Sequence, residues 1–203
     1  MRQTIFLIPV LSAAVTLAAC GSGRPIRYYT VDLPAAPEPA MSIYPVTLLI
    51  GHIGGPEILM DQPIAYRVGP NEIGTYQYHL WDEPPVQMLK TSLLRRLRAS
   101  GKYQSVAELG SSAQGDYVLQ GRLFDFEEVD TGNMAGLVSM EFELYDRKDR
   151  KMVWSHSYSH SEPVQGKDIA DVVSALDRNL TLGLNELVSG LDGYFSVSFH
   201  AKP

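Results

Sequence analysis

The sequence predicts an α+β fold, a largely antiparallel sheet with two amphipathic helices packed on one face. Three observations lead to this prediction. Segments rich in β-branched and aromatic residues recur along the chain, and turn-forming residues separate them. Two longer segments keep an apolar period near that of a helix. The 203 residues are 45% hydrophobic and 20% charged, which is typical of a globular protein with a sizeable core.

The beginning of the chain has the layout of a secretory signal. Arg2 supplies positive charge, an apolar run covers residues 5–15, and small residues lead to Cys20. The apolar stretch ends at residue 19 and contains Pro9, so it is shorter and less regular than the roughly 20 residues of a membrane-spanning helix. We expect residues 1–19 to be a signal peptide, residues 20–25 a short tether and residues 26–203 a single domain.

The first part of this domain is expected to be two strands separated by a loop. Residues 26–33 predict the first strand. The apolar residues 46–50 predict a second, buried strand, which the glycines of residues 51–56 would end. Four prolines between the two predict a loop that is neither helix nor central strand: Pro34, Pro37, Pro39 and Pro45.

A hairpin and a helix follow. Residues 64–68 and 75–79 are the expected arms of the hairpin, with a Gly-Pro-Asn-Glu turn signal between them. Asp82 and Glu83, followed by two prolines, mark a helix start, and Gly101 marks its end. Apolar residues at helical spacing form the buried stripe: Val86, Leu89, Leu93, Leu94 and Leu97.

Strands dominate the next part of the chain. A short strand is expected over residues 103–106. Residues 115–130 are apolar on both faces and predict a central strand, and residues 138–145 alternate as a half-exposed strand does. After a charged turn, residues 151–160 return as its partner. One face of this partner strand is expected to carry Met152, Trp154, His156, Tyr158 and His160.

The second helix is expected over residues 168–189, with Gly190 as its end. Eight apolar residues keep the helical period through it: Ile169, Val172, Val173, Leu176, Leu180, Leu184, Leu187 and Val188. The alternating tail over residues 194–199 is interpreted as an edge strand or an interaction segment.

Composition and motifs exclude several functions. The net charge of −6 argues against a nucleic-acid binder, and one cysteine excludes an intramolecular disulfide and multi-cysteine metal sites. The glycines of residues 51–56 lack the Lys-Ser/Thr of a phosphate loop, and no nucleophile motif is present. His156 and His160 lie about 13 Å apart along a strand, too far to share one metal. We expect no enzymatic activity, no metal and no cofactor.

Two tryptophans and one tyrosine are candidates for partner binding. Trp81, at the head of the first helix, is interpreted either as a residue that packs the helix against the sheet, which we favour, or as an interface anchor. Trp154 and Tyr158 can likewise belong to the core or to an interface, and the sequence leaves both alternatives open.

The segment Leu17-Ala18-Ala19-Cys20 resembles a bacterial lipobox, whose cysteine carries a thioether-linked diacylglycerol and further acyl lipid. Small side chains before the cysteine admit the processing site, and more than one acyl chain gives a lasting anchor. Gly21 follows Cys20, in place of the aspartate that in enterobacteria typically retains lipoproteins in the inner membrane. These residues predict acylation of Cys20 and attachment to the outer membrane at its periplasmic face.

The order of several short segments resembles the ABC-type transport auxiliary lipoproteins, a family that includes the paraquat-inducible protein C lipoproteins. The segments that carry the resemblance are residues 27–32, 64–67, 78–85, 97, 100–106, 117–121 and 126–127. The resemblance implies a non-catalytic accessory of an Mce-type lipid-transport system, which docks the Mce-domain protein and cooperates with inner-membrane components.

Two alternatives to this docking role remain at the level of sequence. In the first, the chain itself carries a lipid, with an acyl chain held between the helices and the sheet. In the second, the chain is a periplasmic hydrolase or metalloprotein, a function that no motif in the sequence supports. The oligomeric state is left open.

Overall fold

The computed structural model describes residues 24–32, 43–130 and 132–200. The predicted signal peptide, Cys20 and the loop residues Pro34, Pro37 and Pro39 lie outside these ranges. The described residues form, in order, β1 (Arg27–Tyr29), β2 (Tyr44–Gly54), a 3-10 turn (Glu57–Leu59), β3 (Pro63–Val68), β4 (Ile73–Trp81), α1 (Pro85–Ala99), β5 (Tyr103–Glu108), β6 (Tyr117–Asp130), β7 (Met134–Asp146), β8 (Lys151–Pro163) and α2 (Ile169–His200).

The long strand β6 is the centre of the sheet, as its two apolar faces predict. One of its edges pairs antiparallel with β7, which pairs antiparallel with β8. Its other edge is shared between two strands, because residues 117–122 pair with β2 and residues 127–130 pair with β3. Beyond them, β5 lies beside β2, and β4 and then β1 lie beside β3.

The two long ladders are antiparallel, which confirms the α+β prediction of a largely antiparallel sheet. The predicted hairpin of β3 and β4 is also present and antiparallel. Parallel pairing occurs within the described sheet only in short ladders, between β1 and β4, β2 and β5, β2 and β6, and β3 and β6. The alternation of residues within a strand does not reveal the direction of its neighbour, so the sequence did not predict them.

Both helices pack on one face of the sheet, as predicted. Ile50, Leu119 and Leu144 are paired across β2, β6 and β7 and are all buried beneath the helices. Arg96 of α1 joins the helices to each other. It donates to Asn185 Oδ1 at 2.5 Å and to Thr181 Oγ1 at 3.1 Å, both on α2.

The second helix is longer than the sequence predicts. Gly190 does not end it, and the prediction of an edge strand over residues 194–199 is wrong. A Cβ at Gly190 would lie 2.8 Å from Cζ2 of Trp154, so this glycine permits close packing of helix and strand. Leu191 and Phe195 are fully buried and continue the apolar stripe by another turn and more.

The second strand is also longer than predicted. It contains Pro45, so the assignment of Pro45 to a loop is wrong, and it runs beyond Ile50. Its ladder with β5 is irregular between Tyr44 and Thr47, where a proline without an N–H group is tolerated. A Cβ at Gly51 would lie 2.9 Å from side-chain atoms of Val118 and Gln120, so this glycine serves close packing rather than a turn.

The face predicted for Met152 is wrong, because the ladder of β8 is irregular at this point. Leu144 pairs with Trp154, whereas Tyr145 pairs with Met152, so one residue of β8 is bulged out of the ladder. Met152 is therefore moved off the face of Trp154 and is exposed.

The sheet has two ends, which differ in what they carry. The hairpin end contains the β3–β4 turn, the β6–β7 turn and the start of α2. The groove end contains the starts of β2, β5 and β6, the β7–β8 turn and the last turns of α2. The direction of α2 follows from two close contacts. Leu176 of α2 packs against Gly136, near the hairpin end, and Gly190 of α2 packs against Trp154, near the groove end, so α2 runs from the hairpin end to the groove end.

Candidate functional site

A groove of about 560 Å³ opens at the groove end, beside the last turn of α2. It combines apolar side chains with charged ones of both signs, a composition suited to a protein or peptide surface. Its lining residues are Pro45, Val46, Gly115, Asp116, Tyr117, Asp146, Arg147, Lys148 and Phe199.

The floor of the groove is held by hydrogen bonds between β2 and the segment before β6. The Thr47 N–H donates to the Asp116 carboxylate at 2.7 Å, and the Asp116 N–H donates to the Thr47 carbonyl at 2.9 Å. Arg147 Nη1 donates to the Gly115 carbonyl at 2.9 Å. A Cβ at Gly115 would overlap the Leu49 side chain, so only glycine allows this close approach. The groove is thus a preformed feature of the fold.

An aromatic cluster supports the groove from below. Phe195 is fully buried, and its ring centroid lies 5.6 Å from that of Tyr44, 5.5 Å from that of Tyr103 and 5.1 Å from that of Tyr117. These distances are typical of favourable aromatic pairs. The cluster fixes the last turns of α2 to the starts of three strands.

A carboxylate joins this cluster to the charged surface. The Tyr44 hydroxyl donates to Asp192 Oδ1 at 2.5 Å, and the Lys102 ammonium lies 2.8 Å from Asp192 Oδ2. Burial, reinforced by Asp192, raises the pKa of Tyr44 to about 12. The hydrogen bonds from Lys102 and Tyr44 lower the pKa of the Asp192 carboxyl. The network therefore favours a neutral tyrosine and an ionised aspartate at neutral pH.

At the edge of the cluster, where the Phe199 ring contacts those of Tyr44 and Phe195, α2 presents apolar side chains to solvent. Val197 is 69% exposed and Phe199 is 36% exposed, and Phe199 lines the groove. The Lys148 side chain forms no salt bridge with any described residue. The groove end thus offers unpartnered apolar surface beside an unpaired cation.

Trp81 is fully buried, which bears on its two interpretations as a residue that packs the helix against the sheet or as an interface anchor. Its ring centroid lies 5.2 Å from that of Phe126 in the sheet. The indole therefore packs the start of α1 against the sheet, and it presents no surface to a partner in this conformation.

Tyr158 is buried against α2. Its hydroxyl donates to Asn179 Oδ1 at 2.5 Å, and the Asn179 amide donates to the carbonyls of Gly136 and His160 at 2.8 and 2.6 Å. This network satisfies a fully buried asparagine, which the apolar stripe of the helix did not reveal. Trp154 is half-buried, and its ring stacks on that of His156 at 5.8 Å. Of the three candidates, only Trp154 keeps part of its ring at the surface.

Two neighbouring glutamates near the hairpin end are buried. Arg67 Nε donates to Glu127 Oε1 at 2.5 Å, and an Asp125 oxygen lies 3.6 Å from Arg67 Nη2. Burial raises the pKa of Glu127, and the Arg67 guanidinium opposes this shift. The Tyr76 hydroxyl donates to Glu128 at 2.7 Å. Each carboxylate is partnered within the fold, so we assign them structural roles.

Within the part of the chain that the structure describes, no group of three or more His, Cys, Asp or Glu side chains converges as a metal site would require. No helix in the same ranges is both long and apolar enough to cross a membrane. The absence of a metal, of a cofactor and of catalysis remains a prediction.

Sequence reasoning missed the groove for a specific reason. Its walls come from four separate places in the chain, and Phe199 was placed on a strand. The only indication of the groove in the sequence was the tail over residues 194–199, for which an interaction segment was one of two interpretations. An alternating pattern of aromatic and small residues over residues 194–199 also fits the end of a helix whose aromatic residues recur every four positions.

Comparison with known proteins identifies relatives of this chain. A protein of Xanthomonas campestris, XCC0632, is 25% identical, and the alignment covers 87% of this chain and 100% of that one with a TM-score of 0.74. It is assigned to the family DUF330. An uncharacterised protein is 16% identical over 82% of this chain and 99% of its own, with a TM-score of 0.64. No curated protein matches.

The Chlamydia trachomatis protein CT253 shares the fold more distantly, at 12% identity and a TM-score of 0.50 over 71% of this chain and 97% of that one. The sequence model of the family described as the ABC-type transport auxiliary lipoprotein component matches residues 29–188. This match spans both helices and the sheet for most of their length and confirms the resemblance found in the sequence. The chain therefore belongs to the ABC-type transport auxiliary lipoprotein component family.

Proposed function

We propose that the chain is acylated at Cys20 and serves, at the periplasmic face of the outer membrane, as a non-catalytic docking component of an Mce-type lipid-transport system. In this proposal it binds the Mce-domain protein and, through it, cooperates with the inner-membrane components. Family membership supports a role beside an ABC transporter. The lipobox-like segment ending at Cys20 and the Gly21 that follows support the anchor and its membrane.

The observation that carries the docking role is the groove end. Exposed Val197 and Phe199 lie at this end, and Phe199 lines a charged groove whose floor is fixed by hydrogen bonds. A preformed apolar surface with a polar rim is what a specific protein interface requires. We therefore assign the Mce-domain contact to this end. Trp154 remains a secondary candidate, and Trp81 and Tyr158 support the fold.

The test is photo-crosslinking in the native envelope. A photoreactive phenylalanine analogue at position 197 is expected to give an adduct with an Mce-domain protein. The same analogue at position 73, at the hairpin end and also exposed, is the matched control and is expected to give none. Equal adducts from both positions, or none from position 197, would contradict the assignment.

The anchor is tested separately. Cys20→Ala is expected to leave the chain soluble or unprocessed, and density fractionation of the unaltered chain is expected to recover it with the outer membrane. Unchanged membrane partitioning of the alanine variant would refute acylation, and recovery with the inner membrane would refute only the location.

The alternative of lipid carriage gains no support from the region between the helices and the sheet. The side chains there, including Leu93, Leu97, Leu176 and Leu180, are buried and fill the space themselves. Native mass spectrometry of the delipidated, refolded protein remains the direct test, and a stoichiometric bound lipid would revive the hypothesis.

A further inference from the structure

We propose that the hairpin end of the sheet rests on the lipid surface, with exposed apolar side chains entering its interfacial region. The side chains concerned are Val68 and Ile73, on either side of the β3–β4 turn, and Ile26 and Tyr28, on the edge strand β1. Tyr28 is level with Leu80, about 13 Å from Ile73 measured along β3, so the sheet would rest on this end with its β1 edge tilted toward the lipid. This inference rests on the proposed acylation of Cys20, and it adds which face of the fold meets the membrane.

The direction of β1 points the described start of the chain toward this end. β1 runs parallel to β4, with Arg27 opposite His79 and Tyr29 opposite Trp81. β4 begins at the hairpin turn, so the chain before Arg27 heads back toward that turn. Ile73 precedes His79 by six residues, at most about 20 Å of strand. Cys20 precedes Arg27 by seven residues, a reach of about 23 Å, so its acyl chains can lie level with the turn.

The side chains at this end have the chemistry of a membrane contact. Ile26 is 53% exposed, Tyr28 61%, Val68 52% and Ile73 42%. Isolated apolar residues are ordinary on a protein surface, but these four lie along the turn and the adjoining edge of the sheet, next to the described start of the chain. Tyrosine is favoured at the membrane–water interface, and aliphatic side chains gain free energy on leaving water.

The charges beside them complement lipid phosphates. Arg24 and Arg27 are both exposed and form no salt bridge with any described residue. A guanidinium binds phosphate oxygens in a two-pronged geometry. Glu72 and Asp130 also lie at this end and are exposed, so the turn itself would contact lipid through its apolar residues.

The test places a reporter at each end of the acylated full-length chain. Cys20 has no free thiol once it is acylated, so Tyr28→Cys, Ile73→Cys and Val197→Cys each provide a single labelling position for an environment-sensitive fluorophore. In vesicles of phosphatidylethanolamine and phosphatidylglycerol, we expect blue-shifted emission at positions 28 and 73. Quenching by lipid-borne spin labels should be several-fold stronger there than at position 197. Equal quenching at all three positions would overturn the proposal.

A second variant tests whether the hairpin side chains contact the lipid or only lie near it. Val68→Ser combined with Ile73→Ser should lower the quenching at position 28 toward that at position 197, while the protein stays on the vesicles. Unchanged quenching would overturn the role of the hairpin. Mass spectrometry of Cys20 separates the two proposals: an unacylated cysteine refutes both, whereas an acylated protein whose labels report water refutes only this one.

Discussion

At the hairpin end the Glu127 carboxylate is buried, and burial raises its pKa, whereas at the groove end Asp192 is partly exposed and Lys102 lowers its pKa. The first end buries a carboxylate and shows apolar side chains to solvent around a turn, beside exposed Glu72 and Asp130. The second buries aromatic rings and places its charges around a groove. The difference suits an end that faces lipid and an end that faces a protein. Substitutions at one end at a time can therefore test this contrast.

The largest effect is expected from Phe195→Ala at the groove end. The variant removes the ring that Tyr44, Tyr103 and Tyr117 surround, and truncating a fully buried phenylalanine costs about 3–5 kcal/mol of unfolding free energy. Denaturant unfolding measures it. Phe199→Ala, whose ring is 36% exposed, is the matched control and should lose clearly less. Equal losses would mean that the cluster is not the support of this end.

The next effect is expected at the hairpin end from Arg67→Met. The variant leaves the buried Glu127 carboxylate without its guanidinium partner, at a cost of about 2 kcal/mol near neutral pH. Loss of Arg67 raises the pKa of Glu127 further. A carboxyl whose pKa is higher in the folded state than in the unfolded state stabilises the fold at pH values below the unfolded-state pKa, and this stabilisation is lost as pH rises. The destabilisation should therefore shrink as pH falls toward 4.5.

Glu127→Gln provides the control for this prediction. It removes the charge that Arg67→Met leaves unpaired, so the arginine substitution should cost less in the glutamine background. Denaturant unfolding of the four proteins gives the coupling between the two residues. A cost of Arg67→Met that is the same in both backgrounds and at every pH would contradict the assignment of a buried ion pair.

Asp192→Asn at the groove end should show the opposite dependence on pH. The Asp192 carboxyl has a lowered pKa in the folded state. It therefore stabilises the fold at pH values above its unfolded-state pKa of 3.8, and this stabilisation is lost as pH falls through its folded-state pKa. We expect a loss of about 1 kcal/mol at neutral pH, since the partners are partly exposed. The cost of Asp192→Asn should grow with pH while that of Glu127→Gln shrinks, and parallel curves would contradict the contrast between the ends.

The two ends also differ in how far the sequence could predict them. The hairpin end could be predicted, because the β3–β4 arms and their turn are local in sequence and the pattern of residues 64–79 specifies them. The groove end could not, because β2, β5, β6 and α2 meet there from distant parts of the chain. Parallel pairing leaves no mark on the alternation within a strand.

Two glycines explain the specific errors. Gly190 was taken as a helix end and Gly51 as part of a strand end, since glycine is common at both. Both instead allow a neighbouring side chain to approach the backbone closely, Trp154 in one case and Val118 in the other. A local pattern does not distinguish these uses, because the neighbour is remote in sequence. Trp81 shows the opposite case, in which a residue's position at a helix start correctly favoured core packing.

The smallest effect on stability is expected from Val197→Ser and Ile73→Ser, one at each end. Both side chains are exposed, Val197 by 69% and Ile73 by 42%, so each substitution should change the unfolding free energy by no more than about 0.5 kcal/mol. Their functional effects should differ. Val197→Ser should weaken capture of the Mce-domain protein from solubilised envelopes, because an exposed apolar side chain at the groove end is lost. Ile73→Ser should leave capture unchanged, because in detergent the lipid surface is absent and the partner lies at the other end. Equal capture by the two variants would mean that the groove end does not bind the partner, whatever the hairpin end does with lipid.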